Sequence, residues 1–143
     1  MNPTPPVPAE TAAVKSFNQQ SGLSLAYLGD AVLELMVRER VLQSGYTDVG
    51  RLNALARAYV TAKRQSEALE RILPLLNEEE TAYYKRGRNA NGVRAPKSAT
   101  VGAYRRATGL EALFGYLYLA GRQERMRALF DAAFVQEEPR GEA

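Results

Sequence analysis

The chain has 143 residues, 45% of them hydrophobic, with 19 basic against 16 acidic side chains and a formal net charge of +3. That is apolar material enough for the core of one domain, and a charge too nearly balanced to indicate a partner by itself. There is no cysteine and no histidine, which excludes disulfides, thiolate chemistry, imidazole metal sites and every mechanism built on a histidine base. Chemistry, if present, must run on carboxylates, lysine, tyrosine or a hard cation.

In chain order, residues 1–9 carry Pro3, Pro5, Pro6 and Pro8 and read as a flexible arm. A folded domain is expected over residues 10–136 and a frayed polar tail over 137–143. Residues 23–43 predict a helix with an apolar stripe at Leu25, Leu28, Val32, Leu35 and Met36, stopped at Gly45. Asp48 can cap a helix running to about Tyr59, and Thr61 another ending near Pro74. Asn77 followed by Glu78, Glu79 and Glu80 reads as a cap with three acids in the first turn, where the helix dipole favours them; that helix should end by Gly87. Residues 89–98 have loop composition. Residues 101–120 predict a long apolar helix ended by Gly121, and residues 123–135 a last amphipathic one. No alternating strand pattern occurs, so the expected fold class is all-α. No run approaches the roughly 20 apolar residues that span a bilayer, and no signal peptide is visible; the expected location is cytoplasmic.

Two acids stand alone in apolar helices. Asp30 is the only charge between Lys15 and Glu34, and Glu111 the only one between Arg106 and Arg122. An ionised carboxylate in such a setting needs a partner: an arginine, water at the helix edge, or a cation. Gly29 and Gly109, beside the acids, lower helix propensity by about 1 kcal/mol each and would let something large approach the backbone. Oxygen ligands suit hard cations, and Mg²⁺ binds through one or two carboxylates while keeping its waters. The pattern fits metal-assisted phosphodiester hydrolysis, with simple salt bridging as the alternative.

These residues carry a resemblance. Ala26-Tyr27-Leu28-Gly29-Asp30-Ala31-Val32-Leu33-Glu34 resembles the signature helix of ribonuclease III catalytic domains, commonly Glu-Phe-Leu-Gly-Asp, a small residue, then Val-Leu. The segment from Thr108-Gly109-Leu110-Glu111-Ala112-Leu113-Phe114-Gly115 to Leu119 resembles the second motif of that family. The two acids lie about 80 residues apart, as in that domain, and the resemblance runs from Leu23 to about Phe134. Ala26 and Thr108 replace two acids usual in the full family, and no double-stranded-RNA-binding domain is expected. Both features are similar to the short Mini-ribonuclease III subfamily, as are Arg86-Gly87-Arg88-Asn89-Ala90 and Tyr104-Arg105-Arg106-Ala107-Thr108.

The resemblance implies a homodimeric, double-strand-specific endoribonuclease with Asp30 and Glu111 as catalytic residues and metal ligands. Mg²⁺, or Mn²⁺ in its place, would be the cofactor. The products would carry 5′-phosphates, the substrate would be large-subunit ribosomal RNA precursor, and a ribosomal protein could assist. The runner-up is a domain of the same fold that binds RNA or ribosomes without cutting. The helix around Asp30 is also too apolar for one small domain to cover both of its faces, which points to a dimer independently.

The RNA-holding residues are expected between Thr81 and Leu110, where Lys85, Arg86, Arg88, Arg94, Lys97, Arg105 and Arg106 stand without one acid. Removing these seven from the 19 basic residues leaves 12 against 16 acidic, so the cations form a local footprint on an otherwise acidic chain. Asn89 joins this set as a loop contact. Tyr27, Tyr116 and Tyr118 read as core or interface, whereas Tyr83 and Tyr84, beside Lys85 and Arg86, are open to contact with an RNA backbone.

Overall fold

All but the last of the described α-helices begin where a short polar side chain takes over an unsatisfied backbone donor. A computed structural model describes residues 20–91 and 100–135. In helix α1 (Gly22–Leu42), Ser21 Oγ accepts from the Ser24 amide at 3.0 Å. Asp48 caps α2 (Val49–Tyr59) and Thr61 caps α3 (Ala62–Ile72) in the same way. A 3-10 turn (Leu73–Leu75) carrying Pro74 leads to α4 (Glu78–Arg88), which opens on a reciprocal capping box between Asn77 and Glu80. Thr100 caps α5 (Val101–Leu119). Gly121, at φ 72°, ends it in a Schellman motif in which the Arg122 amide donates back to the Leu117 carbonyl at 3.0 Å. Helix α6 is Gln123–Ala133. Among the described residues there is no strand, so the chain is all-α as its sequence predicts. No described helix is long and apolar enough to cross a membrane. The arm at 1–9, the tail at 137–143 and residues 92–99, including Arg94 and Lys97, lie outside the described residues.

Helices α1 and α5 cross at the centre, α4 lies along α5, and α3 and α6 close the other side. Contact at the crossings is backbone to backbone. A Cβ on Gly29 would lie 1.6 Å from the Glu111 carbonyl oxygen, and one on Gly115 would lie 2.1 Å from the Leu25 carbonyl oxygen. On the α4 side, a Cβ on Gly87 would meet that of Ala112 at 2.5 Å, and one on Gly109 would meet the Tyr84 ring at 2.6 Å. Glycine beside the acids therefore admits a neighbouring helix.

Farther out, Glu80 is fully buried and takes a two-pronged hydrogen bond from Arg125 at 2.8 Å on each oxygen; the guanidinium holds its carboxyl below the usual carboxylate range. Arg125 also donates to the Leu75 carbonyl at 2.7 Å, so one side chain fastens the 3-10 turn, α4 and α6 together.

Several sequence expectations are corrected by this packing. Tyr83 and Tyr84 are buried and face α5, not a nucleic acid: Tyr83 stacks on Tyr116 with ring centroids 3.9 Å apart. Tyr116 belongs to the core, and its hydroxyl donates to Glu79. Tyr27, 86% exposed, and Tyr118, also exposed, lie on the surface, where only the interface half of their expectation applies. Leu35 points outward at 63% exposure, because α1 is apolar around most of its circumference and only one side meets α5. Helix α4 runs one residue past Gly87, which is packed against the Thr108 carbonyl and does not terminate it.

The crossings make a direct test. Gly29→Ala should cost several kcal/mol or prevent folding, since helix backbones must part to admit the methyl. Gly102→Ala, which would meet only the mobile Arg106 guanidinium at 3.5 Å, should be neutral or stabilise by up to about 1 kcal/mol. Urea denaturation of both variants checks the contrast; equal effects would contradict the packing argument.

Candidate active site

Asp30 follows Gly29 on α1, and Glu111 is the residue whose carbonyl presses on that glycine. The crossing that excludes a side chain at position 29 thus brings the two carboxyl groups together. Asp30 is exposed at the lip and Glu111 is half-buried. Burial, and then the hydrogen bond and charge of Asp30, push the Glu111 carboxyl up from 4.5 to about 8. Near neutral pH the Glu111 carboxyl therefore keeps its proton and hydrogen-bonds to Asp30. Each isolated acid finds its partner in the other.

The pair opens into a cleft of about 340 Å³ between α1 and the α2–α3 corner, with Leu33 and Val37 in its floor. Glu34 and Arg38 line one side and bridge each other at 2.7 Å. Asn53 and Arg57 of α2 and Gln65 of α3 form the facing wall. None of these three is singled out by sequence pattern, because only the tertiary turn between α2 and α3 brings them opposite the acids. A slightly larger hollow of about 390 Å³ between α1 and α6 shares no residue with this cleft. Its charges neutralise one another, Arg40 on Asp131 at 2.5 Å and Arg127 on Glu39 at 2.8 Å, so it offers no comparable chemistry.

Ala26 and Thr108 are both buried, and the Thr108 hydroxyl donates to the Tyr104 carbonyl at 2.9 Å. These two positions are part of the helix packing. No group of three or more acids converges among the described residues. The donor set is oxygen only, which fits Mg²⁺ or Mn²⁺ held by two carboxylates and completed by water or phosphate.

The described basic residues lie at the end of α4 and the start of α5. Lys85, Arg86, Asn89 and Arg106 are exposed. Arg86 rests over Tyr83 at 4.6 Å, and Arg88 over Tyr84 at 5.6 Å while donating to Asn89. Arg105 is half-buried and donates to the Arg88 and Ala90 carbonyls at 3.4 and 3.5 Å, so it also closes the end of α4. Arg106 stands five residues before Glu111 on the same helix.

Comparison with known proteins gives consistent results. The family model for the ribonuclease III domain matches residues 23–122. A Mini-ribonuclease 3 of Desulfitobacterium hafniense is 49% identical over 129 residues, covering 89% of this chain and 82% of that protein. One from Symbiobacterium thermophilum is 50% identical over 111 residues, covering 78% and 85%. The crystal structure of protein FN1578 from Fusobacterium nucleatum superposes with a TM-score of 0.70 at 40% identity, covering 79% of this chain and 90% of that one.

The raised Glu111 value carries a stability consequence in metal-free protein. Between pH 4.5 and about 8 the folded chain holds a proton that the unfolded chain has released, so stability falls as pH rises through that window and then levels. Glu111→Gln removes this contribution. In chelator-treated protein, the gain in Tm of the variant over wild type should be larger at pH 8.5 than at pH 5; an equal difference at both would show that Glu111 is not held protonated.

Proposed function

We propose, from the premise that this chain belongs to the ribonuclease III family of endoribonucleases, that it cuts double-stranded RNA by metal-dependent hydrolysis at the Asp30–Glu111 cleft. The observation that carries this reading is the contact of those two carboxyl groups, from helices about 80 residues apart in sequence, in one open cleft. A bound Mg²⁺ would supply charge neutralisation at the phosphate and a water of lowered pKa. Asp30 and Glu111 would hold it from the exposed and the half-buried side of the crossing. Before both can act as ligands, Glu111 must release the proton it keeps near neutrality, because carboxylates ligate deprotonated. The Glu34–Arg38 bridge keeps a third acid occupied at the rim and limits further negative charge facing the phosphates.

Phosphate contacts fall to Lys85, Arg86, Arg88, Arg94, Lys97, Arg105 and Arg106, with Asn89 beside them. They precede Glu111 in the chain, and among the described residues Lys85, Arg88, Arg105 and Arg106 form no salt bridge. Duplex RNA is contacted mainly along phosphates and 2′-hydroxyls across its minor groove, which such a set can do with little base preference. The natural substrate under this reading is large-subunit ribosomal RNA precursor, a proposal supported by the similarity to short members of the family.

One cleft cuts one strand, so a duplex cutter needs two. Support for a homodimer comes from the outward side of α1, where Leu23, Tyr27, Ala31, Leu35 and Leu42 are exposed, Leu42 at 62%. Exposed apolar side chains opposite the buried face of a helix, interrupted here by the Glu34–Arg38 bridge, make a surface that association would cover.

Two measurements test these points. Asp30→Asn and Glu111→Gln should keep wild-type circular dichroism yet lose several kcal/mol of charge stabilisation, on the order of a hundredfold or more in kcat on long duplex RNA in Mg²⁺. Near-wild-type turnover by either would remove the pair from the chemistry, and a folded wild type that binds duplex RNA without cutting would favour the non-cleaving alternative. For the dimer, light scattering should give twice the chain mass for wild type and a monomer for Leu35→Glu; a wild-type monomer at micromolar concentration would overturn it.

A further inference from the structure

The acidic side of the cleft has a role in the reading above, and the wall that faces it has none yet. That wall comes from two elements joined at the Thr61 cap: Asn53 and Arg57 lie one turn apart on α2, and Gln65 follows in the first turn of α3. Gln65 is half-buried, while Asn53 and Arg57 are exposed. Glu34 and Arg38 bond each other, and Asp30 bonds Glu111. The side chains of Asn53, Arg57 and Gln65 have no hydrogen-bond or ion-pair partner among the described residues. Two carboxamides and a guanidinium are thus turned into a cleft whose remaining polar groups are already engaged.

Their chemistry limits what they could bind. A guanidinium presents planar donors suited to a phosphate oxygen. A carboxamide has little to offer an anion that an arginine does not, but it both donates and accepts. A ribose 2′-hydroxyl also donates and accepts, so one amide can satisfy it in both senses. An acid in that place would repel phosphate, and a lysine could only donate.

We propose that Gln65, with Asn53 beside it, reads the ribose 2′-hydroxyl next to the phosphodiester held at Asp30 and Glu111, while Arg57 takes a neighbouring phosphate. This deepens and rests on the endonuclease reading. It places the discrimination of RNA from DNA within the cutting cleft itself, on a wall formed by different helices from those that carry the basic segment. Both strands of a duplex would be tested for 2′-hydroxyls at the point of cleavage, whatever holds the duplex elsewhere.

The experiment uses the full chain with Mg²⁺ and a duplex RNA whose cut position has been mapped, together with copies bearing one 2′-deoxy or one 2′-O-methyl ribose at each position flanking the cut. For wild type, one such deoxy position should lower kcat/KM by roughly threefold to tenfold, the size of one lost hydrogen bond. Gln65→Met keeps the length and loses the amide. It should show the same loss on all-ribose substrate and no further loss at that deoxy position, the signature of a coupled pair. Asn53→Ala, at an exposed position that folding does not depend on, should blunt the same penalty in part. Arg57→Gln should raise KM and flatten the salt dependence by about one unit while keeping the deoxy penalty whole. A wild type that cuts ribose and single-deoxy duplexes equally, or a Gln65→Met that retains the full penalty at every position, overturns this inference alone. A wild type that leaves all duplex RNA intact overturns the endonuclease reading and this inference together.

Discussion

A methyl group at position 29 would overlap the backbone oxygen of Glu111, and one at position 115 the backbone oxygen of Leu25. The two long helices therefore approach as closely as polypeptide backbones can, and they do so at the level of the two isolated acids. Everything of chemical interest follows from that approach. It sets Asp30 and Glu111 side by side, it forces Glu111 partly out of water, and it makes the proton that Glu111 keeps a property of the fold. The adjoining contact of α4 with α5 at Gly87 and Gly109 repeats the device, which leaves α5 locked between two neighbours along the stretch that carries Glu111.

Close helix packing of this kind sacrifices helix propensity at each glycine and places two acids where they repel each other. The fold offsets this elsewhere. Arg125 satisfies both oxygens of the fully buried Glu80 and a carbonyl of the 3-10 turn; Arg40 does similar work between α1 and the end of α6, donating to Asp131 and to the Phe134 carbonyl while lying 4.7 Å from the Phe130 ring centroid. Those pairs are internally complete. The carboxylate cleft, with its facing amides and guanidinium, is left open, and openness combined with a perturbed titrating group is characteristic of reactive sites.

Much of this was legible in the chain. Asp48, Thr61 and Asn77 are capping residues that structure and sequence place alike, because a cap is a local interaction between residues three apart. The isolation of Asp30 and Glu111 in apolar helices was equally plain. What sequence did not show was orientation. Around α1 apolar side chains occupy most directions, so periodicity could not decide that Leu25 faces inward and Leu35 outward. Tyr83 and Tyr84 stand beside cations in sequence, yet the helix turns both rings onto α5. Residues such as Gln65, or the Glu80–Arg125 pair, acquire their meaning only from elements brought together by the tertiary fold, and no local pattern marks them.

The stacked rings of Tyr83 and Tyr116 have a spectroscopic consequence. The chain contains no tryptophan, so its near-ultraviolet absorption and emission belong to tyrosine, with a minor phenylalanine contribution. Most chiral signal in that region should arise from rings held rigidly in asymmetric surroundings, and this pair, with ring planes only 7° apart and one hydroxyl bonded to Glu79, is the most constrained. It bridges α4 and α5, the helix that carries Glu111. The native chromophores therefore report, without any added label, on whether the helix that carries Glu111 is seated.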